Sequence, residues 1–105
     1  MTLEATQPSK NAFRPSKAAQ IALEAAKIVD GDRRQTHGPA ERSFDLVAAL
    51  WSAYTGNLLT PVDVAQMMVL LKIARAKCGK PVEDHFVDQC GYSTLAGEMA
   101  MGEDA

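Results

Sequence analysis

The chain has 105 residues, 47% of them apolar, and its 11 basic and 13 acidic side chains give a formal net charge of −2. That length allows one domain with a modest core. The charge balance speaks against non-specific nucleic-acid binding or a polybasic membrane contact. No apolar run approaches the 18 or more residues of a membrane span, and the N-terminus lacks a leader pattern, so a soluble cytoplasmic protein is expected.

Residues 1–15 carry Thr, Gln, Pro, Ser, Lys and Asn with only Leu3 and Phe13 as sizeable apolar groups. They bury too little to offset the entropy of ordering and read as a flexible arm. A first helix is predicted over 16–29, opened by Pro15 and Ser16, with Ile21, Ala25, Ile28 and Val29 on one stripe and its end at Asp30 and Gly31. The loop that follows, GDRRQTHGP, is the most polar part of the ordered chain. Arg33, Arg34, Thr36 and His37 precede a helix start at Gly38 and Pro39, which makes the stretch a candidate phosphate cradle. Glu41 at the third helical position partly cancels that field.

A second helix is predicted over 40–54. Its apolar positions Phe44, Val47, Ala48, Leu50, Trp51 and Tyr54 cover well over half the circumference, so it should be largely buried. Trp51 and Tyr54 are candidates for stacking on a base, with core packing as the ordinary alternative. Thr55, Gly56 and Asn57 end the helix.

The third helix, 61–77, has the clearest start: Thr60 as N-cap, Pro61 at the first position and Asp63 at the third. Placed at about 100° per residue it shows two apolar arcs. Val64, Met67, Leu71 and Ala74 form one; Val62, Ala65, Val69, Ile73 and Ala76 form the other. A helix apolar on two sides should be enclosed by neighbours on both, and in so short a chain one neighbour is expected to come from a second subunit. Lys72 and Arg75 lie on a polar seam between the arcs. They either answer the helix's negative end and pair with acids of the next helix, or meet a phosphate.

Cys78 to Pro81 turn the chain into a last helix, 82–100, interrupted by Gly91 and Gly97 at about 1 kcal/mol each. Asp84 and Asp88 stand one turn apart on one face with Tyr92 and Leu95. The two acids can pair with Lys72 and Arg75 across the short turn, accept hydrogen bonds from a sugar or base, or share a cation. Gly91 leaves room for another backbone or a ligand. Cys78 and Cys90 show no metal spacing and read as free thiols. Residues 101–105 are a frayed acidic end. The expectation is an all-α bundle of about four helices in one domain, 16–100, forming a homo-oligomer.

The series GDRRQTHGPAERSF, LWSAY, LTPVDVAQMMVLLKIARAK and EDHFVDQCGYSTLAGE resembles a small family of bacteriophage and prophage proteins of unknown function. The likeness runs from about residue 28 to residue 98 and implies an all-α fold and a phage setting. A looser similarity links TPVDVAQMMVLLKIA to the MazG-like all-α nucleotide pyrophosphohydrolases, which hold magnesium with ExxE on one helix and ExxD on the next. Asp63 takes the aspartate position, but Thr60 stands where the glutamate belongs. Glu41 and Asp45 are spaced i, i+4 instead of i, i+3.

Three functions are weighed. The first is a binder of a nucleotide or nucleotide-derived molecule between helices or subunits, without turnover and without a cofactor, which in a phage setting would sequester a host defence signal. Arg33, Arg34, Thr36, His37, Lys72 and Arg75 would meet phosphates, and Trp51, Tyr54, Asp84, Asp88 and Tyr92 the base or sugar. The second is a magnesium-dependent pyrophosphohydrolase whose metal sits on Asp63, Asp84 and Asp88, with Glu41 and Asp45 nearby. The third is an interaction module acting on a host protein.

Overall fold

A computed structural model describes residues 14–33 and 40–102. Helix α1 spans Lys17–Lys27 and continues as a π-helical segment, Ile28–Arg33. Helices α2 (Ala40–Thr55), α3 (Pro61–Lys77) and α4 (Glu83–Ala100) follow, and no strand occurs among the described residues. The fold is all-helical, with four α-helices as expected. The predicted arm, the middle of the polar loop and the last three residues lie outside the described residues.

The helix starts follow from local chemistry. Ser16 Oγ accepts from the Ala19 N–H at 3.1 Å and caps α1. At α3 the Thr60 hydroxyl accepts from the Asp63 N–H (3.1 Å), while the Asp63 carboxylate accepts from the Thr60 N–H (2.9 Å), a reciprocal capping box. Gly56, at φ 75°, donates its N–H to the Ser52 carbonyl and ends α2. The Ser52 hydroxyl then accepts from the Leu59 N–H at 2.8 Å, closing the α2 to α3 turn.

The core joins three helices: Phe44 and Ala48 of α2, Val64 and Ala65 of α3, and Leu95 and Ala96 of α4. Helices α3 and α4 form the central pair, with α1 laid along α4 and α2 against α3. Lys17 meets Glu83 at 3.1 Å, and Val29 comes against Gly91, so α1 runs parallel to α4. Lys72 meets Asp88 at 3.0 Å across the antiparallel α3 and α4, the pairing expected of the short turn. Arg75 and Asp84 make no ion pair among the described residues.

Two expectations, on α2 and on α1, are corrected, and within the single chain α3 is covered on one flank only: Val64 and Ala65 are buried, but Met67, Leu71 and Ala74 are open beyond them. The reason is that α2 reaches α3 only around its first turns, and α4 alone accompanies the rest. Helix α2 is likewise buried on one side only, with Leu50 60% and Tyr54 92% exposed. Helix α1 does not stop at Asp30 and Gly31. It widens into the π segment through Arg33, which keeps Val29 packed toward α4.

Two stability predictions follow. A double-mutant cycle on Lys72 and Asp88, whose side chains are 18% and 36% exposed, should give a coupling of about 0.5–1 kcal/mol that shrinks with added salt, and additive effects in urea melts would contradict the pair. A Cβ added at Gly97 meets nothing within 4 Å, so Gly97→Ala should raise stability by about 0.8–1 kcal/mol at an unchanged denaturant slope.

Candidate functional site

The residues singled out in the sequence do not share one place. Asp63 is held at the start of α3 by its capping role. With Lys72 level with Asp88, a rise of 1.5 Å per residue sets Asp63 about 13 Å farther along the helix pair, and Asp84 about 6 Å the other way. The three acids assigned to magnesium therefore cannot meet within one chain. Among the described residues no group of three or more His, Cys, Asp or Glu side chains is placed to hold a metal ion. Tyr54 stands in solvent, and Trp51 is half-buried against the core. Arg34, Thr36 and His37 lie outside the described residues, and of Arg33 only the backbone is described.

What does converge lies along α4. A cavity of about 90 Å³ opens between α1 with its π segment and α4, lined by Ala25, Ile28, Val29, Val87, Asp88, Gly91, Tyr92 and Leu95. Its walls are mostly apolar, with the Asp88 carboxylate and Tyr92 as the polar groups. Gly91 forms part of the floor: a Cβ there would stand 3.8 Å from Val29 Cγ2, so the absent side chain is what keeps the space open. Tyr92 is fixed from behind by Phe44, ring centroids 6.4 Å apart at an interplanar angle of 25°. Asp88 lies between two neighbours, with Lys72 of α3 on one side and the cavity on the other.

Ile28 and Val29 line this cavity, and the π segment that they open carries the backbone on to Arg33. No residue of the polar loop is among the cavity's lining residues. Ala25, Ile28 and Val29 were legible in the sequence as apolar stripe residues, but nothing there marked them as cavity walls. The signal that pointed to the place was Gly91 between Asp88 and Tyr92. Cys78 is exposed, Cys90 half-buried, and both are free thiols. No helix among the described residues is long and apolar enough to cross a membrane.

Comparison with known proteins agrees with this all-helical region as a family unit. A family model described as a domain of unknown function, DUF6378, matches residues 20–100. The Gene 55 protein of Mycobacterium phage L5 is 41% identical over 85 residues, covering 80% of this chain and 54% of that protein. The Gene 55 protein of Mycobacterium phage D29 is 36% identical over 73 residues, covering 70% and 48%. The chain thus spans about half the length of the curated relatives it matches. No solved structure matches it. With the matched region running from within α1 to the end of α4, the chain belongs to the DUF6378 family, and it is similar to the Gene 55 proteins of two mycobacteriophages.

Proposed function

We propose that the chain binds a small nucleotide-type molecule at the cavity between the π segment and α4, and holds it without turnover. The observation that supports this reading is the cavity's lining: Ile28 and Val29, which open the π segment leading toward the arginine-containing loop, border the same space as Asp88, Gly91 and Tyr92. A cavity of about 90 Å³ is well below the ~300–1,000 Å³ of a complete ligand pocket. It takes one end of such a molecule, the base or sugar, whose N–H or O–H groups donate to the Asp88 carboxylate. The phosphates then extend toward Arg33, Arg34, Thr36 and His37, which supply charge-assisted donors.

Absence of turnover rests on the dispersal of Asp63, Asp84 and Asp88, since magnesium needs oxygen ligands at about 2 Å in near-octahedral order. A magnesium-dependent MazG-type hydrolysis would require acids assembled from more than one chain. Because the relatives are phage proteins, the setting proposed is the cytoplasm of an infected bacterium, where such a binder would sequester a host signal.

The test is a thermal-shift panel of nucleoside mono-, di- and triphosphates and dinucleotides, followed by calorimetry on any that bind. At a hundredfold excess over Kd a true ligand adds ~2.7 kcal/mol to stability. Gly91→Ala, which keeps the helix and narrows the cavity, should reduce that shift. Arg34→Ala should weaken binding about tenfold or more, the cost of a charge-assisted hydrogen bond of ~1.5–3 kcal/mol. The reading fails if no compound shifts the melting temperature, or if both variants bind as the parent does. Release of pyrophosphate with magnesium would replace binding by hydrolysis.

A further inference from the structure

The hairpin of α2 and α3 carries an unusual surface. From residue 46 to residue 71 the sequence has one charged side chain, Asp63, in a chain that is 23% charged, and Asp63 is engaged in the α3 cap. On α2, Leu46, Leu50 and Tyr54 follow one another at i, i+4 and i+8, all well exposed, and Leu58 in the turn is also open. On α3, Met67, Leu70, Leu71 and Ala74 fall at i, i+3, i+4 and i+7, the spacing of a helix seam, with Leu70 64% exposed.

The interior is correspondingly thin. Among the described residues eight apolar side chains are buried, and four of them are alanines: Ala25, Ala48, Ala65 and Ala96. A domain of this size is marginal even with a full core, so the hairpin stripes need cover whenever the chain is folded. An occupant required at all times has to be present in proportion to the chain, and a second copy is.

Charge points the same way. In a two-fold pair each patch meets itself, which a patch rich in one sign of charge resists and an uncharged one permits. Size fits as well. A standard interface takes ~800 Å² from each partner, and seven large apolar side chains left open on the hairpin, Leu46, Leu50, Tyr54, Leu58, Met67, Leu70 and Leu71, offer area of that order.

We infer that two copies of this chain associate through the outer apolar stripes of the α2 to α3 hairpin. The assembly is isologous, so Leu50 and Leu70 of each copy are buried in the pair and solvent-facing in the single chain. The interface is separate from the cavity on α4.

Sedimentation equilibrium of the full chain, from sub-micromolar to tens of micromolar, tests this together with melting temperatures over the same range. The parent should sediment at twice the single-chain mass or a higher multiple, with a melting temperature that rises with concentration. Leu50→Glu and Leu70→Glu, whose side chains the single chain does not bury, should shift the mass to one chain or raise the dissociation constant at least tenfold. If a Glu variant loses its helical circular dichroism, the concentration dependence of the parent's melting temperature decides. A parent that is monomeric throughout, with a concentration-independent melting temperature, overturns the inference and leaves the stripes to a different protein. Glu variants that keep the parent's multiple also overturn it, because the contact then lies elsewhere.

Discussion

Close approach of α3 to α4 is the constraint on which the fold depends. Ala65 has no exposed surface and Ala96 almost none, and between them stand Val64 and Leu95. Side chains this small let two helix axes come near the lower end of the usual 8–10 Å separation. A larger group at either alanine would have to part the helices, because a filled core has no spare volume. The same approach brings Lys72 to Asp88 and lets Phe44 of α2 reach across to Tyr92. An ionic pair of this exposure adds little free energy of its own. Its effect is on register, fixing which turn of α3 faces which turn of α4.

The ends of the helices were readable from single residues because caps are local events. Thr60 with Asp63, Ser16, and Gly56 after Thr55 all act within four residues of themselves. Depth of burial was not readable in the same way. The two apolar arcs of α3 say that both sides prefer to leave water, but periodicity cannot say whether the second neighbour belongs to the same chain. Helix α4 was misjudged for the opposite reason. Its glycines read as interruptions of the helix, although Gly91 faces α1 and Ala96 belongs to the core shared with α3. Small residues signal close packing only once a partner is known. The π segment had no warning either, since Asp30 and Gly31 compose an ordinary helix ending.

The candidate site shows the same division. That Asp88 would meet Lys72 followed from a four-residue turn between two helices, which forces them to be antiparallel neighbours. That Asp88 also borders a cavity required α1 to be placed along the other side of α4, and α1 is far from it in sequence. Asp63 illustrates the converse. Its position in the sequence suited two roles, cap and metal ligand, and the capping box uses it for the first at a level on α3 well away from the other acids. A carboxylate that completes a helix start is explained without any ligand.

Cavity and hairpin stripes are built from different residues, and this bears on where a ligand can sit. Helix α4 buries a broad arc, from Val87 round to Ala96, which is why it can hold α1 on one side and α3 on the other. The cavity belongs to the α1 side. On α3 the buried positions Val64 and Ala65 face inward, and Leu70 lies nearly half a turn round the helix from Ala65, at ~100° per residue. Two chains meeting through their hairpins would therefore leave one open cavity in each. A ligand site lying within each chain suits that geometry better than one built between subunits, and it makes binding and association separable. A charge placed at Leu50 would divide the pair without touching Asp88, Gly91 or Tyr92, so its effect on ligand affinity would act only through the stability of the fold.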